Sequence, residues 1–170
     1  MISSQTQLYS VINNALVTVV DNTMKQALDE LLKIIDRIVY SYPATWTNGY
    51  DGSYGRTEEF RDSWDKTKAK FAASFSGSAV EASILQTLPL SYHPPFSHGS
   101  IANGAINKDN LNDIIVNGLN ESHMNFPAIA ARPFWTEFES WCNQNLRNIF
   151  VQECQKVGLN VRANMSFSFV

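Results

Sequence analysis

Apolar side chains recur at steps of three and four through residues 6–42. They are Leu8, Val11, Ile12, Ala15, Leu16, Val19 and Val20, then Met24, Ala27, Leu28, Leu31, Ile35, Ile38 and Tyr42. That spacing draws one stripe along a helix. Asp21 or Asn22 has the chemistry to cap a fresh helix, so the pattern admits one long helix or two joined near residue 21. Pro43 ends the run, because the residue before a proline is pushed out of the helical region.

Residues 43–56, "PATWTNGYDGSYGR", read as a loop whose glycines and Asn48 supply turn chemistry. Trp46, Tyr50 and Tyr54 make it aromatic. It either packs on its own domain or offers a contact surface to a partner, since exposed aromatics favour interfaces. Thr57, Glu58, Glu59 and Phe60 then suggest a capped helical turn.

The period changes from residue 64 onward. In 64–75, Thr67, Ala69, Phe71, Ala73 and Phe75 share one face, and Lys66, Lys68 and Lys70 the other. Period two means a strand with one buried side. Ser76 and Gly77 suit a turn, and 79–87 alternates again through Val80, Ala82 and Ile84. The pair predicts a β-hairpin over 64–87.

Residues 88–129 form a long excursion. Three prolines and two glycines within 88–107 exclude regular structure across most of that stretch. Helical spacing returns at 108–119 through Leu111, Ile114, Ile115 and Leu119. Pro133 suits the first turn of a helix over 133–157, and Gly158 suits its end. The tail alternates over 160–169, with Val161, Ala163, Met165, Phe167 and Phe169 on one side, as a third strand would. The fold class expected is α+β. A long N-terminal helix and a C-terminal helix would pack on a small antiparallel sheet, within a single domain over 1–170.

Composition narrows the function classes. The chain has 170 residues, is 44% hydrophobic and only 17% charged, with 13 basic and 16 acidic residues and a net charge of −3. A net negative chain is a poor nonspecific nucleic-acid binder, because duplex binding relies on a basic field. No apolar run reaches the ~18 residues that a membrane span needs, and the first twenty residues lack the marks of a signal peptide. Cys142 and Cys154 are too few for a disulfide framework. On one helix they would lie ~18 Å apart, as reduced thiols.

Candidate chemistry is sparse. His93 and His98 share the loop segment "HPPFSH", and His123 follows later, but no third ligand of a zinc set lies close in sequence. No nucleophile elbow, P-loop or dinucleotide fingerprint occurs. Neither a cofactor nor a resident metal is expected, and no catalytic residue is nominated. Lys66, Lys68 and Lys70, ~7 Å apart along a strand face, form a basic strip. They either blunt a sheet edge or face DNA or an acidic partner.

Two short motifs and their order carry a resemblance. "YGRTEEFRDSW" leads into the hairpin, and "PAIAARPFWTEF" opens the last long helix. This arrangement resembles the tail-completion or neck family of the tailed-bacteriophage head–tail connector, which includes minor tail proteins. The family pattern Arg-Thr-Gly-x-Leu-Arg-x-Ser is matched by Arg56, Thr57, Glu58, Glu59, Phe60, Arg61, Asp62 and Ser63, with Glu58 replacing the glycine. The later pattern, Pro-Ala-Arg-Pro-Phe, is matched by Ala130, Ala131, Arg132, Pro133 and Phe134, with Pro127 slightly upstream.

The resemblance implies a structural virion protein without catalytic activity. It would be made in the host cytoplasm and placed at the head–tail junction. It would form a homo-oligomeric ring that contacts connector and tail proteins, with DNA only as passing cargo and no membrane. Arg56, Thr57, Phe60, Arg61, Arg132, Pro133 and Phe134 would set fold geometry or an interface, together with Trp46, Tyr50 and Tyr54. Two other expectations stand beside it. One is a small metal-dependent hydrolase with its site at His93–His98, and the other a host-directed phage accessory protein of the same fold.

Overall fold

The computed structural model describes residues 4–41, 58–74, 77–88, 111–118 and 131–162. In chain order these form α1 (Gln5–Ile35), a π-helical turn (Asp36–Tyr40), α2 (Glu59–Asp62), β1 (Trp64–Lys66), β2 (Lys70–Ser74), β3 (Gly77–Glu81), β4 (Ile84–Gln86), α3 (Leu111–Asn117) and α4 (Phe134–Lys156). The protein is α+β, mostly helical, with a small antiparallel ribbon. Its residues group into two compact units. One comprises Met1–Glu30, Asp65–Leu85 and Glu139–Val170; the other comprises Leu31–Trp64 and Gln86–Phe138.

In the first unit, α1 runs without a break through Asp21. Of the two options open from the sequence, one continuous helix is the one formed. Asp21 caps nothing on α1 because its carboxylate is engaged by the ribbon, where it accepts from Lys66 Nζ at 2.6 Å and from the Ala69 backbone N–H at 3.3 Å. The helix starts where Ser4 Oγ accepts the Gln7 N–H at 3.3 Å. Val19, Thr23 and Ala27 are its buried positions in this unit, and Cys142, Leu146, Glu153 and Cys154 are those of α4. The two helices are tied by Glu153, whose carboxylate accepts from Asn22 at 3.1 Å and Gln26 at 2.9 Å.

The hairpin is present, but its strands are interrupted. β2 pairs antiparallel with β3 from Lys70↔Glu81 to Ser74↔Gly77, and β1 pairs with β4. Thr67 donates its N–H to the Ser83 carbonyl at 2.8 Å, and Ser83 donates its own to Thr67 Oγ1 at 2.9 Å. Between the 67–83 and 70–81 pairs, the first strand holds one residue more than the second, as in a β-bulge. Thr67–Ala69 are accordingly outside any strand, which corrects the expectation of one continuous strand over 64–75. Asp21 takes up the N–H of Ala69 there. Gly77, expected in the turn, is instead paired with Ser74 and opens β3.

The C-terminal end of α4 follows its sequence signal. Gly158 has φ +79°, Gly158 N–H donates to Gln155 O at 3.0 Å, and Leu159 N–H donates to Cys154 O at 2.8 Å. This pair of bonds is the Schellman motif, which favours glycine at the left-handed position. Beyond it Asn160–Arg162 are not in a strand, and the rest of the expected 160–169 strand lies outside the described residues.

In the second unit, Leu31, Ile34, Ile35 and Val39 are buried, as are Phe60, Ser63, Phe134 and Phe138. The helix pattern ahead of Pro43 closes through the π-helical turn, with Ser41 Oγ donating to the Arg37 carbonyl. Arg37 pairs with Glu137 at the start of α4. α3 ends at Asn117, before Gly118 at φ +75°.

Candidate functional site

The site lies in the second unit, where the two motif segments meet. α2 is a single turn closed by Asp62 N–H to Glu58 O at 2.9 Å and Ser63 N–H to Glu59 O at 2.8 Å. Within it, Arg61 is an anchor. Its Nε meets the Asp36 carboxylate at 2.9 Å, its Nη1 meets Asp62 at 3.5 Å, and its backbone N–H donates to Tyr40 Oη at 3.3 Å. The Asp36 hydrogen bond is the main cause that raises the guanidinium's pKa above its ordinary value. Burial is the main cause that pushes the Tyr40 phenol up. Asp36 and Tyr40 both belong to the π-helical turn, a local form frequent at functional positions.

Ser63 follows at the end of that turn and is wholly buried. Its hydroxyl donates to the Phe60 carbonyl at 2.8 Å and accepts from Gln86 Nε2 at 2.9 Å. Its carbonyl accepts from the Thr87 N–H at 2.7 Å and the Thr87 hydroxyl at 3.2 Å. Buried polar atoms carry a cost unless bonded, and here every polar group of the serine is used.

The second motif enters beside the first. Arg132 N–H donates to the carbonyls of Ile115 and Val116 of α3 at 3.0 and 3.2 Å. Pro133 stands one residue ahead of α4 rather than in the first turn expected for it, and its carbonyl accepts the Glu137 N–H at 3.4 Å. Phe134 is 2% exposed and meets Phe60 edge to face, with ring centroids 5.4 Å apart. Trp64 contacts Phe60 at 6.1 Å and Phe134 at 6.2 Å, and stacks on Trp135 at 5.5 Å and 27°. Trp135 reaches Phe138 at 5.6 Å. Such offset and T-shaped pairs add to what area burial alone contributes. Trp64 Nε1 is shielded from solvent and meets no acceptor among the described residues.

The structure therefore brings together Phe60, Arg61, Arg132, Pro133 and Phe134 in one unit. Arg132 does not project freely at the mouth of α4. It is half-buried, and its Nε is closed off from solvent. Arg56, Thr57, Trp46, Tyr50 and Tyr54 lie outside the described residues, as do His93, His98 and His123. Asp36, Tyr40, Ser63 and Trp135 were not among the nominated positions. Ser63 and Trp135 stand inside the quoted motifs, so proximity signalled them. Nothing local ties Asp36 or Tyr40 to Arg61.

The basic strip is not formed as drawn. Lys66 and Lys70 belong to different strands, and Lys68 lies in the interruption between them. Lys66 is 15% exposed and turned onto Asp21, which lowers that carboxyl's pKa chiefly through the shared hydrogen bond. Lys70 pairs with Glu81, its Cα partner across the hairpin, at 3.3 Å. Both cations are engaged within the first unit rather than lined up on one face.

What these parts build is a joint. The polar groups of Arg61 and Ser63 are spent on backbone atoms and neighbouring side chains, and the aromatic rings pack edge to face around one stacked tryptophan pair. The chain is thereby an α+β protein whose two motif segments share an aromatic core. No family model, curated protein or solved structure matches it. Among the described residues no group of three or more His, Cys, Asp or Glu is placed to hold a metal ion, and no helix is long and apolar enough to cross a membrane.

Proposed function

We propose that this chain is a structural protein of the phage head–tail connector, of the neck or tail-completion kind. It forms an oligomeric ring that joins connector and tail proteins and lets DNA pass. The observation that carries the reading is the meeting of Phe60 with Phe134. The two segments on which the resemblance rests are distant in sequence, yet they share one packed aromatic cluster. Their contact across that separation supports the reading.

The use of the motif side chains supports the same reading. Arg61 holds the turn before β1, and Arg132 ties its segment to α3 through its backbone N–H. Geometry of this sort suits a protein whose task is to present surfaces to neighbours. Heterologous contacts that close make a ring, the shape a DNA conduit needs.

The test is genetic and microscopic. Deleting the gene from the phage that carries it is expected to yield filled or emptied heads separated from free tails. The protein is expected in purified virions by mass spectrometry, and at the head–tail junction by immunogold labelling. Infectious, normally joined particles from the deletion strain would overturn the proposal.

A further inference from the structure

The N-terminal third of α1 has an apolar surface that stands exposed among the described residues. Every residue from Gln5 to Val11 is exposed, including Leu8 at 43%, Tyr9 at 55% and Val11 at 55%. Ile12, Ala15 and Leu16 are half-buried, and full burial on the helix begins only at Val19. These positions continue the stripe that Val19, Thr23 and Ala27 bury further along. The core pattern of the helix thus runs several turns past the part that the first unit covers.

Helix propensity does not account for this segment. Val11, Ile12, Val17, Thr18, Val19 and Val20 are β-branched, and Ser10, Asn13 and Asn14 are also weak helix formers. No Asp, Glu, Lys or Arg occurs between Ser4 and Val20, so no charged side-chain pair stiffens it. Helices of this kind draw their stability from packing of an apolar face.

We propose that residues 5–16 of α1 are where copies of this chain meet, each helix flanked by the α1 helices of two neighbours. Three observations select a second copy as occupant. The segment is uncharged from end to end, so identical segments meet without like-charge repulsion, and a charged partner finds no complement. The apolar arc is also wide. At about 100° per residue, Val11 and Tyr9 stand roughly 160° apart around the axis, with Ala15, Leu8, Ile12 and Leu16 between them. A helix with a single neighbour needs an arc of about 100°.

The area argues in the same direction. Twelve helical residues span about 18 Å, so one flank covers on the order of 400 Å², about half of what each partner contributes to a standard interface. Each contact alone is below that standard, and a copy buries a comparable area only by summing its two contacts, as a closed ring provides. In such an assembly the Val11 edge of one helix lies on the Tyr9 edge of the next, a heterologous contact that closes on itself. The inference rests on the ring-forming reading above and names the surface that would make the ring.

The experiment uses the full chain, with mass determined by light scattering or sedimentation over a range of concentrations. Wild type is expected as a single oligomer. Val11→Lys and Tyr9→Glu each place a charge on one edge and are expected to give monomers. Their circular dichroism should keep the helical content of the wild type, since both side chains are exposed on the single chain. The double variant Val11→Lys/Tyr9→Glu sets Lys against Glu at every contact and is expected to restore the oligomer. An unchanged mass in either single variant would overturn the inference while leaving a ring by other surfaces intact. A double variant that stays monomeric overturns the edge-to-edge arrangement. A wild-type chain that is monomeric at every concentration, and gains mass only when connector proteins are added, overturns it and leaves the head–tail reading standing.

Discussion

The rings of Phe60 and Phe134 meet edge to face, with centroids 5.4 Å apart and planes at 81°. One residue belongs to α2 and the other opens α4, and both are buried. Around them Trp64 and Trp135 stack, so a single cluster holds the turn into β1 and the start of the last long helix.

Phe134→Ala should therefore be the costliest of the substitutions considered. Removing a buried aromatic ring costs about 3–5 kcal/mol, of which part is the cavity left behind. Urea unfolding is expected to show a fall of that size, and Phe134→Leu a clearly smaller one. Equal, small losses for both would show that the cluster is not a packing centre.

The Arg61–Asp36 pair should contribute modestly. Its side chains are 34% and 50% exposed, so solvent screens much of the attraction. A double-mutant cycle with Arg61→Gln and Asp36→Asn is expected to give a coupling of about 0.5–1 kcal/mol that shrinks with added salt. A coupling well above that, insensitive to salt, contradicts this account.

Glu153 makes stability depend on pH. The residue is 4% exposed, and its carboxyl's pKa is lowered below the ordinary carboxylate value, first by the Lys156 hydrogen bond and also by those from Asn22 and Gln26. A depressed folded pKa means that the folded state favours the charged form. The stabilisation is complete above the unfolded value, near 4.5, and is lost as pH falls through the lower folded value. Wild type is expected to lose more stability than Glu153→Gln on going from pH 7 to pH 3. Parallel losses in the two proteins would remove Glu153 as the cause.

Gly158 tests the end of α4. An added Cβ meets nothing within 4 Å, so the strain of Gly158→Ala is conformational alone, from φ +79°. A left-handed non-glycine residue costs about 1–2 kcal/mol. Gly158→Asn, which tolerates that region better, is expected to cost less than alanine. The reverse order in thermal melts would argue against the left-handed cap.

The cysteines should be silent until the chain unfolds. Burial, with Glu139 adding to it, pushes the Cys142 thiol up to about 12, and burial pushes Cys154 up as well. The thiolate is the reactive form. A thiol reagent at pH 8 is expected to label neither residue in the native protein and both in denaturant. Rapid native labelling of Cys142 would contradict its placement in the core.

Some of this architecture is legible without coordinates, because helix and strand periods are local properties of the backbone. The apolar steps of three and four from Leu8 onward mark α1. Pro133 and Gly158 mark the limits of α4, because proline suits a first turn and glycine a left-handed cap. Alternation over 64–87 marks a hairpin. Phe60, Arg61 and Phe134 are marked in the sequence too, as members of the two motifs.

The sequence by itself determined that α1 and α4 are helices and that 64–87 holds a hairpin, since each depends on side chains a few positions apart; it also drew a strand at 160–162 that the structure does not have. Tertiary structure decided the rest. It settled that Asp21 lies inside an unbroken helix and holds Lys66 and Ala69, which accompanies the interruption of the lysine strand. It settled that Arg61 is claimed by Asp36 and Tyr40, and Phe60 by Phe134. Those partners are separated by loops of the chain, and contacts that close such loops leave no period in the residues between them.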